Sequence, residues 1–391
     1  METLIELYDE RPLENVLGVE VFRPERVVYV CPSRIASDRA LQQRLRNYFA
    51  HRGQSVSLEF VKADVYQSLA ILKTLRKIVE CYPDCAMDIT GGTDAVLYAA
   101  GMLGAEFPMP AFTYSRKKNR FYEIQNADFA AGLPCQVIYT VEDCFRMAGG
   151  ELRPGRVNNE LLAEYDRDVQ PFYRLYMKHR RDWVRLISYI QRVSAWTGEG
   201  PAPLSVQGDY NVKGERGTRI DAPEEALRAL RSIGLLQELS IDREAGVSFS
   251  FRDALIRSWL RDVGIVLELY VYKTCKDLEL FDDVRLSAVV DWEESAGRNA
   301  VSNELDVMCT RGVTPVFISC KTGEAKTEAL NELAILRDRF GGGIARAAIV
   351  TAERAGDIMR NRAAELNIQV IDLNDLSANK LSKRIKKLMQ T

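Results

Sequence analysis

Histidine is almost missing from this chain. Its 391 residues include two, His51 and His179, which excludes a multi-histidine zinc centre and a succession of histidine acid–base steps. Cysteine does not take over that role. Of eight cysteines only Cys81 and Cys85 lie close together, and no second close pair completes a tetrahedral site. They read as reduced, small apolar residues. Long hydrophobic runs are absent too: none approaches about 18 residues, and the acidic start Met1-Glu2-Thr3 lacks a signal-peptide core. A soluble, cytoplasmic protein is expected. Nor is there an excess of one charge. With 53 Lys+Arg against 55 Asp+Glu the net charge is −2, so nucleic acid is not held by overall positive charge, although a local basic groove is compatible. Any metal site must be built from oxygen ligands, which favours Mg²⁺ or Mn²⁺.

What is present is ordinary globular material, 47% hydrophobic and 28% charged, long enough for two or three domains. In the first third, a β-branched run at residues 25–31 ends in Pro32-Ser33-Arg34. A polar helix (37–51), an extended stretch (55–61) and a second helix (66–81) follow. Then Ala86-Met87-Asp88-Ile89 leads into Thr90-Gly91-Gly92-Thr93 and a helix from Asp94. Strands alternating with helices predict a parallel, doubly wound α/β sheet, whose ligands sit beyond the carboxyl ends of the strands. Both turns lie at that edge. Two glycines let a backbone approach a ligand closely, and the helix start offers free N–H groups to a phosphate. A tight βα connection with Thr93 as N-cap is the plainer alternative.

Asp88-Ile89-Thr90-Gly91-Gly92-Thr93 resembles the signature turn of CARF domains, the sensors of type III CRISPR defence. The resemblance covers about residues 1–150. It implies a Rossmann-like fold, a homodimer, and a cyclic oligoadenylate bound across the dimer interface by Ser33, Arg34, Thr90, Gly91, Gly92 and Thr93. Arg116, after the strand-like Ala111-Phe112-Thr113-Tyr114, is a further candidate, with a solvated hairpin tip at residues 116–120 as its alternative. One departure is Asp94, where many relatives carry Lys.

Glycines and prolines at 149–155 mark a boundary. Residues 160–196 read as helical, with Trp183, Leu186, Ile187 and Ile190 spaced by three and four. A helix at 224–232, then Gly234-Leu235-Leu236 and a hairpin over 237–252, is a winged-helix pattern. Because Asp221, Glu224 and Glu225 begin the helix that would enter a groove, residues 151–261 are read as a spacer and not as a DNA reader.

Residues 262–391 hold the strongest chemical signal. A helix at 262–276 presents Glu268. Strands follow at 285–292, 303–309 and 315–321, separated by a turn at 293–298, then a helix (324–340), Gly341-Gly342-Gly343, and strands at 344–351 and 368–372. Period two puts Glu304 and Asp306 on one face of their strand, with Leu305 and Val307 on the other; Ser319 and Lys321 also share a face. An antiparallel hairpin then brings Asp306 to Lys321, with Glu268 within reach. Carboxylates plus one lysine suit metal-assisted phosphodiester hydrolysis and need no histidine. Cys309 and Cys320 flank this centre without a histidine to act as their base. The basic amphipathic stretch 380–388 reads as a solvated terminal helix.

This arrangement resembles the PD-(D/E)xK restriction-endonuclease-like fold over nearly the whole C-terminal region. The resemblance implies Glu268, Glu304, Asp306 and Lys321 as catalytic residues, with Asp306, Glu268 and the Cys320 backbone carbonyl on the metal. Ser319 stands where many members place Asp or Glu.

The expected fold class is therefore α/β in three parts: a Rossmann-like CARF domain (1–150), a winged-helix-like spacer (151–261) and a restriction-endonuclease-like domain (262–391). The order resembles CRISPR ancillary nucleases activated by cyclic tetra-adenylate. It implies a Mn²⁺- or Mg²⁺-dependent endonuclease acting on single-stranded DNA, RNA or nicked duplex. Two alternatives belong to other classes: a ligand-responsive winged-helix transcription regulator with an inactive nuclease domain, and a sensor that hydrolyses its own activator.

Overall fold

The computed structural model describes residues 1–153, 158–214, 217–292 and 303–390. The first part of the chain folds as β1 (Thr3–Leu7), α1 (Leu17–Phe22), β2 (Arg26–Cys31), α2 (Ser33–Ala36), α3 (Arg39–His51), β3 (Ser57–Lys62), α4 (Ser68–Cys81), β4 (Cys85–Asp88), α5 (Asp94–Glu106), β5 (Ala111–Ser115) and β6 (Arg120–Gln125). These strands make one six-stranded sheet in the order β3-β2-β1-β4-β5-β6. It is parallel except for β6. The alternating pattern predicts β2 to β5, but β1 is an addition. All five of its residues are buried, and Glu6, the fourth of them, is why the hydrophobic pattern hides it. Strand order reverses between β1 and β4, so the loops after Leu7 and Asp88 flank the crevice where doubly wound sheets take ligands.

The middle of the chain contributes α6 (Val141–Met147), β7 (Gly150–Arg153), α7 (Asp166–Lys178), α8 (Trp183–Val193), β8 (Ser205–Gly208), β9 (Asn211–Lys213), β10 (Arg219–Asp221), α9 (Glu224–Ser232), β11 (Leu236–Asp242), β12 (Gly246–Phe251) and α10 (Ala254–Trp259). Helix α9 buries Ala226, Leu227 and Leu230 and leads into a three-stranded sheet, β11-β12-β8. Its acidic start is tied down: Tyr210 donates to Glu224 at 2.9 Å and Lys178 pairs with Glu225 at 2.7 Å.

The last part comprises α11 (Ile265–Asp277), β13 (Asp283–Trp292), β14 (Asn303–Arg311), β15 (Thr314–Lys321), α12 (Thr327–Gly341), β16 (Arg346–Thr351), α13 (Asp357–Glu365), β17 (Gln369–Ile371) and α14 (Ala378–Leu388). Its sheet runs β17-β16-β15-β14-β13-β7. Strand β7 pairs antiparallel with β13, so a strand at the expected 150/151 boundary belongs to this second sheet. The turn at 293–298 and Pro154-Gly155 lie outside the described residues. Helix α14 buries Leu381, Ile385 and Leu388, so its apolar stripe packs against the sheet while its lysines face out.

Two cores cross these divisions. One joins α7, α8 and α9 to α11 and the inner strands; within it Tyr173 stacks on Tyr270 with centroids 3.5 Å apart. The other joins the first sheet and α6 to the opposite face of the second sheet, with Phe145 against Phe340 at 4.9 Å. Such shared burial makes the parts move as packed neighbours and not as beads on linkers. Among the described residues no helix is long and apolar enough to cross a membrane.

Candidate functional sites

The first site is the crevice at the end of β1 and β4. Gly92 has φ of 96°, a conformation that favours glycine. Gly91 is required for space: a Cβ there would lie 2.7 Å from the Leu7 carbonyl oxygen. Thr90 is used internally. Its N–H donates to Asp88 Oδ1 at 2.8 Å, and its hydroxyl accepts from Tyr114 N–H at 2.8 Å. Thr93 is the N-cap residue of α5, but its hydroxyl donates to the Val65 carbonyl at 3.1 Å and caps nothing. No side chain caps the start of α5, which leaves its first N–H groups without a capping acceptor. Ser33 and Arg34 open α2 and are exposed, Arg34 in an ion pair with Glu10.

Arg116 departs from one of the two expectations for it. Its side chain is 25% exposed and pairs with the buried Glu14, so it is not a solvated tip. Beneath the turn lies a feature with no sequence signal. Glu6 and Asp88 are opposite each other on β1 and β4, each 1% exposed, and together they leave no room for a Cβ at Gly18. Burial pushes the Asp88 carboxyl up to about 7 against the bonds from Thr90. Burial first, and Asp88 second, push Glu6 well above the carboxylate range.

The second site lies where β14 and β15 part. The two strands pair from Arg311↔Thr314 to Val307↔Ile318. Beyond that point the Asp306 carboxylate enters the opening, where its Oδ2 accepts the Cys320 N–H at 2.6 Å and the Ser319 hydroxyl at 3.1 Å. Lys321 Nζ stands 3.6 Å from the same oxygen. Opposite, on β13, Ser287 has φ of 54°, and the expected alternation breaks there. Val307 and Leu286 enter the core containing α11, whereas Leu305 and Ala288 enter the core containing α12. Leu305 and Val307 therefore do not share a core, because a left-handed residue in the paired strand turns the pleat.

A pocket of about 80 Å³ results, lined by Glu304, Asp306, Ser319 and Lys321 from the strands and by Ala329, Glu332, Leu333 and Leu336 from α12. Glu304 also accepts from the Ser287 hydroxyl. Glu332 was not anticipated. The spacing 329, 332, 333, 336 is one helix face, but only the packed sheet marks that face as facing the carboxylates. Glu268 approaches from α11. Burial, and then the negative charges of Asp306, Asp262 and Glu304, push its carboxyl up to about 8, with Lys321 opposing them. Asp262 holds the start of α11 by accepting from Gly264 N–H at 2.8 Å.

Among the described residues no cluster of three or more His, Cys, Asp or Glu side chains is arranged to hold a metal. What the structure does assemble is hard and oxygen-rich: Asp306 and Glu268 in mutual repulsion, beside the main chain of Cys320. That surplus of negative charge is what a divalent cation would relieve. The cysteines offer no soft alternative, since burial pushes the Cys309 and Cys320 thiols well above their usual range.

Residues 260–389 match the family model of the Card1-like endonuclease domain. The C-terminal region is thus similar to Card1-like endonuclease domains. This family region begins just before α11 and ends after α14, so it contains every residue of the second site. The chain matches no curated protein sequence. Its fold matches the crystal structure of protein VC1899 from Vibrio cholerae, with a TM-score of 0.71 at 18% identity, covering 99% of this chain and 97% of the other. It matches equally the structure of Can2 from Sulfobacillus thermosulfidooxidans in complex with cyclic tetra-adenylate: TM-score 0.71, 17% identity, 100% of each chain. The fold of the whole chain, and not only of residues 260–389, therefore recurs in both structures.

Proposed function

We propose that this protein is a cyclic-oligoadenylate-activated, metal-dependent endonuclease of CRISPR defence, working as a homodimer. The observation that carries the reading is the Asp306–Ser319–Lys321 grouping at the parted end of β14 and β15, inside a Card1-like endonuclease domain. Can2, whose fold spans the whole chain, is described with cyclic tetra-adenylate bound. That supports the same class of ligand at the Thr90–Thr93 turn here, with Ser33 and Arg34 at its mouth.

Asp306 is aimed by two donors, the Cys320 N–H and the Ser319 hydroxyl, and this leaves its orientation little freedom. Lys321 places a cation beside it, where negative charge grows on a phosphodiester under attack. Asp306, Glu268 and the Cys320 carbonyl are the groups that would hold Mn²⁺ or Mg²⁺. When bound, the ion supplies Lewis acidity toward the phosphodiester oxygens and a counter-charge for the two carboxylates. Ser319, standing where related folds carry an acid, lowers the charge of the site by one and so favours weak metal binding.

The near-neutral net charge fits a substrate held by local contacts, namely single-stranded DNA, RNA or nicked duplex. A winged-helix transcription regulator is less well supported, because the acidic start of α9 is engaged by Tyr210 and Lys178. The deciding experiment is incubation of a labelled single strand with Mn²⁺, with and without each cyclic oligoadenylate. Cleavage only when both are present is expected. Sequence-specific duplex binding without cleavage would replace the reading with the regulator, and breakdown of the activator alone would replace it with a self-limiting sensor.

A further inference from the structure

The segment leaving β1, residues 8–15, is clasped between the sensor turn and the end of α12. On the turn side, Gly92 N–H donates to Asp9 Oδ2 at 3.3 Å. A Cβ at Gly91 would also lie 3.0 Å from Asp9 Cβ and 3.3 Å from Glu14 Cβ. On the other side, a Cβ at Gly342 would lie 3.5 Å from Arg11 Cδ, and one at Gly343 would lie 3.4 Å from Arg116 Nη1. Four charges join these two surfaces. Asp9 accepts from Arg11 through its N–H, Nε and Nη2, each at 2.9 Å. Arg11 Nε lies 3.7 Å from Glu14, and Glu14 pairs with Arg116.

Asp9 is an anion on the very N–H that the turn would offer to a phosphate. At 3.3 Å the bond is longer than the 2.7–2.9 Å of a strong charge-assisted contact, and one donor does not serve two anions. Burial alone would raise the Asp9 carboxyl, but the bonds from Arg11 and Gly92 outweigh it and hold it below its ordinary value. Asp9 is thus charged where it sits. From Gly341 the helix α12 runs back through Leu336, Leu333 and Glu332, the wall of the Asp306–Lys321 pocket. A cavity of about 280 Å³ between Tyr8, Glu10 and Pro12 on one side and Asp338 of α12 on the other gives the segment room to shift.

We propose that Asp9 is a built-in anion seated on the sensor turn, and that a phosphate of the activator displaces it. Arg11 and Arg116, which stand beside Gly342 and Gly343, then shift, and α12 moves its wall of the nuclease pocket. This rests on the proposed function and adds its route of regulation. Arg11 is assigned the part of a positioning residue, acting through Asp9 and Glu14. The device is bistable because the Asp9–Gly92 contact exists only in the unliganded state, which is the differential interaction that a population shift requires.

The test uses the full chain carrying Asp9→Asn or Arg11→Gln. Asp9→Asn should bind cyclic tetra-adenylate about tenfold tighter by calorimetry and show raised cleavage without activator, within the 5–150-fold range of allosteric couplings. Arg11→Gln should keep wild-type affinity for the activator yet lose about tenfold in activation, seen in kcat and not in KM. Hydrogen exchange over residues 332–341 should change with activator in the wild type but not in Arg11→Gln. If Arg11→Gln does not fold, Glu14→Gln, which removes the charge between Arg11 and Arg116, should give the same loss. Wild-type affinity, basal rate and activation in these variants would overturn the relay while leaving the nuclease reading intact. If instead the wild type binds no cyclic oligoadenylate, the sensor reading fails. The relay then stands or falls on exchange alone: Asp9→Asn must speed exchange in α12 without ligand, and an unchanged pattern overturns it.

Discussion

Asp306 accepts the Cys320 N–H at 2.6 Å, taking over a main-chain donor at the point where the ladder between β14 and β15 ends. The catalytic candidate is therefore also a structural plug. Function and stability separate by choice of substitution. Asp306→Asn keeps an acceptor for Cys320 and should unfold close to the wild type while losing cleavage. Asp306→Ala should lose cleavage and in addition about 1–3 kcal/mol of stability, the cost of leaving a buried donor unpaired. Thermal melts beside a cleavage assay check both. Full cleavage by Asp306→Asn would remove this residue from the site.

Lys321→Met keeps the aliphatic stem and deletes the charge. Cleavage should fall by about 10²-fold or more, the usual loss when one transition-state donor is removed, with little change in single-strand binding. A binding defect of the same size as the rate defect would make Lys321 a substrate anchor instead.

Ser319→Asp restores the acid common in related folds and sets a second carboxylate beside Asp306. Like charges at that distance oppose ionisation, so the variant should melt lower than the wild type in EDTA at pH 7. Mn²⁺ should raise its melting temperature more than it raises that of the wild type. Equal Mn²⁺ shifts in the two proteins would argue against a cation at Asp306.

The Glu6–Asp88 pair predicts a pH dependence of folding. Asp88 titrates near 3.8 unfolded and is raised to about 7 in the fold, so the unfolded chain loses its proton first as pH rises. Stability should be greatest below about pH 4, decline progressively toward pH 7 and then level off. Glu6, raised in the same direction, adds to the slope. Asp88→Asn should flatten this part of the profile in urea melts recorded from pH 4 to 8. An unchanged slope would show that the pair is not the source.

Gly91→Ala tests the sensor turn. Its new methyl would meet the Leu7 carbonyl at 2.7 Å, a backbone group that cannot rotate away. A loss of about 1–3 kcal/mol and a weakened activator response are expected, with the Asp306 site unaffected when cleavage is forced by excess activator. Wild-type activation would exclude the turn from ligand binding.

Much of the fold was legible because helices and strands announce themselves through local period. β2 to β5, α9, β14, β15 and the helix carrying Glu268 all follow from spacing alone. β1 was not, since a charged residue sits inside a five-residue strand and its burial depends on partners 23 and 82 residues away in register (Thr3 with Arg26 and Cys85). Asp306 and Lys321 were legible as a pair because a short hairpin nearly dictates its register. Arg116 was not, because its partner Glu14 is distant in sequence.

The sequence by itself determined the chemistry on offer: almost no histidine, no second close cysteine pair, hence oxygen ligands and a lysine, arranged along a strand–hairpin–strand order that local periodicity encodes. Only the tertiary structure decided how those groups are used. The left-handed Ser287 turns the pleat beside Asp306, α12 brings Glu332 to the pocket, and Asp9 accepts the Gly92 N–H at the turn after β4. Each of these depends on contacts between segments far apart in the chain. Such contacts are selected by packing and charge pairing in the assembled core, and no local pattern records them.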